Sequence, residues 1–151
     1  MTKTIQYIFI IVAFFLLSAC AKEENRDSTI PTRQVLIDIN ITLEHQFLNS
    51  YYYKKYYNNT GTVKYAGYAG VLAISNDEAS WIYAYDLCCP HESPLINEIE
   101  VLKNQLQAQC PKCKSIYQIA DGTGRVTSGP SKERLRSYRV MKDGNFFRIR
   151  N

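Results

Sequence analysis

Residues 86–119, DLCCPHESPLINEIEVLKNQLQAQCPKCKSIYQI, contain four of the five cysteines of the 151-residue chain. These cysteines fall in two short motifs, CCPH at residues 88–91 and CPKC at residues 110–113, and each motif follows a predicted strand. Cysteine and histidine clustered on two tight loops are typical of a four-ligand metal site. Cys88 and Cys89 point to opposite faces if the chain is extended there, so one metal is not expected to bind both. The predicted ligands are Cys89, His91, Cys110 and Cys113.

Short stretches of strand-like sequence surround these motifs. Between residues 35 and 42 every second residue is a branched aliphatic one, which is the pattern of a strand with one buried face. No segment after residue 34 has a long helical period, and no repeat or linker divides the chain. The sequence therefore predicts one all-β domain, an antiparallel sandwich or barrel. The predicted strands are 35–42, 70–75, 80–85, 98–102, 106–109, 115–119, 137–141 and 146–150, with a hairpin loop at 76–79.

The N-terminus has the features of an export signal. Lys3 precedes an apolar run, residues 5–17, which leads into LSAC at residues 17–20. This ending resembles a bacterial lipobox and implies cleavage before Cys20 and a lipid on its thiol, with an uncleaved anchor or an ordinary secretory signal as alternatives. We therefore expect a signal peptide over residues 1–19, a lipidated tether over 20–33 and a folded domain over 34–151. The expected location is the cell envelope, on the periplasmic side of a membrane or at the cell surface.

Charge is distributed unevenly along the chain. Residues 112–151 hold ten basic and three acidic residues, whereas residues 20–111 hold seven basic and eleven acidic ones. A basic end on an exported protein favours an acidic partner or an anionic surface. No nucleic-acid-binding motif accompanies it, so nucleic acid is not an expected partner.

An aromatic run, YYYKKYY at residues 51–57, has two interpretations. It is either a stacking platform for a sugar or a nucleic acid, or a strand or loop with aromatic residues packed on one side. We favour the second, because no set of hydrogen-bonding residues accompanies the run. His45 is expected at the surface or at a helix end and not as a ligand.

The two cysteine motifs resemble the ligand loops of Rieske proteins, in which C-x-H is followed by C-x-x-H. In that family a Ser and a Tyr after the second motif donate hydrogen bonds to cluster sulfur, and Ser115 and Tyr117 occupy those places. Residues 128–131, SGPS, resemble the loop that covers the cluster. The resemblance implies a Rieske-type fold with two metal-binding loops. The chain is similar in particular to small Rieske-type lipoproteins of Bacteroidota, which are likened to ferredoxin subunits of nitrite reductases and ring-hydroxylating dioxygenases.

Cys113 departs from this pattern, because the family has its second histidine there. A thiolate favours ferric iron, so a [2Fe–2S] cluster in this site is expected to have a lower reduction potential than a centre with two histidines. Three cysteines and one histidine also suit zinc. A third alternative is a metal-free domain in which Cys110 forms a disulfide with Cys89 or Cys113. Lys114 replaces a usual glycine, which is unfavourable if the backbone there has a positive φ.

The function that the resemblance implies is that of a membrane-tethered one-electron carrier. Cys89 and Cys110 are then expected to hold one iron, and His91 and Cys113 the other. No nucleophile, base and substrate pocket can be identified, so a stand-alone enzyme is not expected. The alternative is a non-redox binding or structural module whose loops are joined by zinc or by disulfides.

Overall fold

The computed structural model describes residues 28–61 and 63–151. In these residues the chain forms short strands and two single-turn 3-10 helices, His45–Leu48 and Pro90–Glu92. The prediction of an all-β antiparallel fold is confirmed. The strands are β1 Val35–Asn40, β2 Tyr53–Tyr56, β3 Tyr65–Ala66, β4 Val71–Ser75, β5 Ile82–Asp86, β6 Glu100–Val101, β7 Gln107–Gln109, β8 Ile116–Gln118, β9 Val126–Ser128, β10 Arg139–Asp143 and β11 Phe146–Arg150.

The strands form three antiparallel sheets. Their orders are β10-β11-β1-β3, β2-β4-β5 and β6-β7-β8-β9. Isolated bridges lie at the end of β5 and just after it: Tyr85 pairs with Ser137, two residues before β10, and Cys88 pairs with Glu98, two residues before β6. The segment that follows β5 is therefore held from two sides.

Two apolar clusters lie between these sheets. The first is built around β1 and β11, where Ile37 lies opposite Ile149 and Ile39 lies opposite Phe147. The second lies between β4, β5 and the sheet β6-β7-β8-β9, and it includes Leu72, Leu87, Ile99, Ile119 and Leu135 together with Cys89 and Cys110. Two of the predicted ligands thus belong to the second apolar cluster.

The strand predicted at residues 35–42 is observed as β1, with Val35, Ile37 and Ile39 buried, but it ends at Asn40, two residues earlier than predicted. The hairpin between β4 and β5 is also observed. Three strands were not predicted individually, β2, β3 and β9, and β10 begins two residues later than expected.

The aromatic run at residues 51–57 contains β2, an edge strand. Tyr52 packs edge-on against Phe47 with ring centroids 4.9 Å apart, and the buried Tyr56 donates a hydrogen bond to Glu44. The packing interpretation of the run therefore agrees with these contacts. His45 is exposed and begins a 3-10 helix, as expected.

Cys20 and the predicted signal peptide lie outside the described residues. At the end of the predicted tether, Ile30 is fully buried, and Thr29 donates two hydrogen bonds to Glu133 through its amide and its hydroxyl. No helix in the described part of the chain is both long and apolar enough to cross a lipid bilayer.

Candidate metal centre

The first ligand loop leaves the end of β5. The amide of Cys88 donates a 2.8 Å hydrogen bond to Asp86 Oδ1, and the amide of Cys89 donates to the Asn97 carbonyl. Pro90 then begins the 3-10 helix Pro90–Glu92, because its fixed φ suits the first helical position and its missing amide leaves no donor unpaired. This turn places His91 at the surface, whereas Cys89, two residues earlier, is buried.

The second ligand loop connects β7 to β8 in a tight turn. Lys114 donates its amide hydrogen to the Cys110 carbonyl, and Cys110 donates its own to the Ser115 carbonyl. Lys114 has a φ of 64°, so the backbone does require the left-handed conformation here. The strain expected for a lysine in place of glycine is therefore present.

The two loops bring three thiols together. The sulfurs of Cys89, Cys110 and Cys113 all lie within 4.8 Å of one another, and the Cys89 and Cys113 sulfurs are 3.6 Å apart. Thiolates that converge in this way are ligands suited to iron–sulfur centres and to zinc. The donor set therefore fits either group.

The four predicted ligands differ in exposure, which divides them into two pairs. Cys89 and Cys110 are completely buried, Cys113 is partly buried, and His91 is exposed. His91 is not a member of the three-thiol group; it lies on the outer turn of the first loop. We call the buried Cys89 and Cys110 the inner pair, and His91 and Cys113 the outer pair.

Two hydroxyl groups contact the cysteine sulfurs. Tyr117, fully buried on β8, places Oη 3.2 Å from Cys89 Sγ, and Ser115 Oγ lies 3.2 Å from Cys113 Sγ. The amide of Ser131 donates a 3.0 Å hydrogen bond to Ser115 Oγ, so the segment at residues 128–131 lies against this hydroxyl. Ser115 and Tyr117 are thus placed where they contact two different predicted ligands.

The electrostatic surroundings of the thiols differ. Burial raises the pKa of Cys89 to about 12. Burial alone would also raise the pKa of Cys113, but hydrogen bonding with the side chain and backbone of Ser115 brings that pKa below its ordinary value. A bound cation must displace the proton of a buried thiol, so metal binding here is coupled to proton release.

Cys88 is separate from the three-thiol group. Its sulfur faces the carbonyl oxygens of Cys89 and Leu95 at 3.6 and 3.7 Å, and burial raises its pKa to about 11. Its exclusion from the predicted ligand set agrees with this position. All four described cysteines have free thiols.

Two contacts at the site were not predicted from the sequence. The buried Asp86 binds the first loop through the Cys88 amide, and the Lys112 ammonium forms an ion pair with Glu92, which links the two loops. A carboxylate at the end of the apolar stretch 82–86, IYAYD, is a signal that could have indicated Asp86. The ion pair has no such signal, because it depends on how the loops fold towards each other.

A comparison with known proteins shows which protein family the chain matches. Residues 51–139 match the model of the family described as Rieske [2Fe-2S] domain. Among solved structures, the chain is similar to the ferredoxin of carbazole 1,9a-dioxygenase from Nocardioides aromaticivorans, at 17% sequence identity and a TM-score of 0.47. That alignment covers 79% of this chain and 97% of the ferredoxin. No curated protein sequence matches the chain.

Proposed function

Because the chain belongs to the Rieske [2Fe-2S] domain family, we propose that it is a one-electron carrier that holds a [2Fe–2S] cluster between its two cysteine-containing loops. Cys89 and Cys110 would bind the inner iron, and His91 and Cys113 would bind the outer one. The chain is then a carrier that serves other proteins and not a stand-alone catalyst.

One observation carries this proposal: the hydroxyls of Tyr117 and Ser115 contact the sulfurs of Cys89 and Cys113, one predicted ligand from each pair. Hydrogen bonds to ligand sulfur withdraw electron density and stabilise the reduced form, so they tune a reduction potential.

The division into inner and outer pairs suits electron transfer. The bound cluster supplies the one-electron chemistry. Cys89 and Cys110 lie within the second apolar cluster and keep water from the inner side, whereas His91 is exposed at the surface. Electron exchange with a partner is therefore expected at the His91 side of the domain.

The surface around His91 suggests the chemistry of a partner. Leu95 and Ile96 are 63% and 56% exposed beside this turn, and Lys112 and Lys114 are exposed on the second loop. Exposed apolar side chains on the first loop and lysines on the second favour an acidic redox partner with an apolar centre. Electron transfer to such a partner is expected to slow as the ionic strength rises.

We also propose that lipid on Cys20 tethers the domain to a membrane of the cell envelope. The support is the LSAC ending of the apolar N-terminal run. Replacing Cys20 with Ala should release the protein into the soluble fraction or block its processing. A variant that is still processed and still sediments with membranes would contradict the lipid anchor.

The test of the carrier proposal is the content of anaerobically purified protein. We expect brown protein with near-stoichiometric iron and acid-labile sulfide. The Cys110→Ser variant should lose both, while Cys88→Ser, which alters the neighbouring thiol outside the ligand group, should retain both. Colourless wild-type protein with zinc or with no metal would contradict the proposal.

A zinc-containing structural module is the second candidate, and the closeness of the thiols favours it. Sulfurs bound to one tetrahedral zinc at about 2.3 Å lie about 3.8 Å apart, close to the 3.6 Å between Cys89 and Cys113. This candidate predicts stoichiometric zinc and no labile sulfide, so the same measurement separates the two.

A further inference from the structure

Asp86, the last residue of β5, is a completely buried carboxylate with four hydrogen-bond donors around it. Its Oδ1 accepts from the amides of Cys88 at 2.8 Å and Ala69 at 3.3 Å. Its Oδ2 accepts from the amide of Tyr68 at 2.7 Å and from the Tyr138 hydroxyl at 2.5 Å. Four donors suit a carboxylate, because an ionised carboxylate can only accept hydrogen bonds. The positive charge of Arg136 also acts on the Tyr138 hydroxyl and opposes the rise in its pKa that burial and Asp86 cause.

Gly67 leaves the space that the Asp86 carboxylate and the Tyr138 hydroxyl occupy. Gly67 has a φ of +71°, and a Cβ there would lie 2.8 Å from Asp86 Oδ2 and 2.3 Å from Tyr138 Oη. The backbone on either side is fixed as well, since Asp86 donates its amide hydrogen to Arg136 and Tyr138 donates to Ala84. Three separate segments of the chain therefore meet at one buried negative charge.

This charge is directly connected to the first ligand loop. The amide that Asp86 Oδ1 binds belongs to Cys88, and the next residue is Cys89, a predicted inner ligand. The carboxylate of Asp86 is therefore one 2.8 Å hydrogen bond away from the backbone of this loop. Fields of buried charges are weakly screened, because the surrounding dielectric constant is low.

We propose that Asp86 is a positioning residue that fixes the first ligand loop and whose charge lowers the reduction potential of the metal centre, while Tyr138 moderates that charge. This proposal rests on the proposed function, since it concerns a centre that accepts an electron. Adding an electron near a buried negative charge is unfavourable, so removing the charge makes reduction easier. Removing the Tyr138 hydroxyl leaves the same charge less stabilised and makes reduction harder.

The test compares the midpoint potentials of Asp86→Asn and Tyr138→Phe with that of wild type, in anaerobically loaded protein at pH 8. The two variants should shift the potential in opposite directions, upward for Asp86→Asn and downward for Tyr138→Phe. In the double variant, Tyr138→Phe should add little to the shift, because its effect passes through the carboxylate. A loop that was merely loosened would shift both variants in the same direction.

Tyr56→Phe is the matched control. Tyr56 is buried to the same extent as Tyr138, at 7% and 8% exposure, and its hydroxyl also donates to a carboxylate, that of Glu44. Both tyrosines belong to the first apolar cluster, but the Tyr56 hydroxyl binds Glu44, which lies outside both ligand loops. Its removal should leave the potential unchanged, which separates the charge effect from the loss of any buried hydroxyl.

A second measurement does not require a loaded centre. Amide hydrogen exchange at Cys88 in metal-free protein should be faster in Asp86→Asn than in wild type, and unchanged in Tyr56→Phe. The proposal would be overturned if the potentials of the two variants shifted in the same direction, or if the potential of Tyr138→Phe were unchanged. If Asp86→Asn does not fold, the potential of Tyr138→Phe alone is a sufficient test. Wild-type protein without iron would instead contradict the proposed function, so the two failures are distinguishable.

Discussion

Cys113 is the residue at which the chain departs from the ligand pattern of its family. It is the partly buried member of the three-thiol group, and Ser115 contacts its sulfur. A thiolate carries a negative charge that a neutral imidazole lacks, so it stabilises oxidised iron. This one residue is therefore expected to place the potential below that of a centre with two histidines.

The Cys113→His variant tests this expectation. Its midpoint potential, measured by spectroscopic redox titration, should be higher than that of wild type, because one negative ligand becomes neutral. Cys88→Ser serves as the control and should keep the wild-type potential, since the Cys88 sulfur faces backbone carbonyls. An unchanged potential in Cys113→His would remove Cys113 from the ligand set.

Tyr117→Phe tests the role of the hydroxyl at the inner thiol. Loss of the contact between Tyr117 Oη and Cys89 Sγ should lower the potential, because it removes a group that stabilises the reduced form. Tyr85→Phe is the control: Tyr85 is also fully buried, but its hydroxyl donates to the Ile119 carbonyl. Equal potentials in the two variants would show that the Cys89 contact does not tune the centre.

At the scale of elements, the segment at residues 128–131 holds the second ligand loop in place. Gly129 has a φ of +97°, and a Cβ at this position would lie 2.5 Å from the Ser115 Cα. The close approach allows the Ser131 amide to reach Ser115 Oγ. Only glycine fits here, both for its conformation and for the space.

Gly129→Ala should therefore destabilise the domain by about 2–3 kcal/mol, measured by urea unfolding. Gly144→Ala is the matched control, since Gly144 also has a positive φ, +54°, but a Cβ there would meet open space. This control should cost only about 1 kcal/mol, the backbone contribution. Similar losses in both variants would show that the contact with Ser115 is not tight.

The elements that the sequence predicts well are those with a regular alternation. β1 and the hairpin of β4 and β5 follow from apolar periodicity, because each buries at least one face. β2 interrupts its alternation with Lys54 and Lys55, which suits an edge strand but hides the period. β9 has three residues and pairs with β8 across an irregularity in the ladder, so no pattern of useful length exists there.

The candidate site was predictable to the extent that its residues are close in sequence. The cysteines, Ser115 and Tyr117 form recognisable motifs, and the structure brings three of the thiols together with both hydroxyls. The binding of Asp86 to Tyr138 joins residues that are 52 positions apart. Such contacts arise from the tertiary fold, which the spacing of residues along the chain does not encode.

At the scale of the whole molecule, the domain has one apolar cluster without thiols and one that contains two predicted ligands. Metal binding is expected to stabilise the folded state, because the folded chain presents an assembled site and the unfolded chain does not. The first cluster contains none of the predicted ligands, so the sheet around β1 is expected to remain folded without the metal.

Removing the metal with a chelator under reducing conditions should therefore lower the thermal unfolding midpoint while leaving the β signal in far-ultraviolet circular dichroism at 25 °C. Cys110→Ser, which cannot load normally, should have the midpoint of the chelated protein and should not respond to the chelator. Complete loss of the β signal on chelation would mean that the metal, and not the two apolar clusters, maintains the fold.

The central claim is that one histidine and three cysteines hold a two-iron cluster, and pulsed electron paramagnetic resonance tests it most directly. The dithionite-reduced protein should give a rhombic signal with hyperfine coupling from a single imidazole, and His91→Ala should lose that coupling. In His45→Ala, which alters an exposed histidine away from the loops, the coupling should persist. A reduced protein with no paramagnetic signal, or a signal without imidazole coupling, would contradict the account.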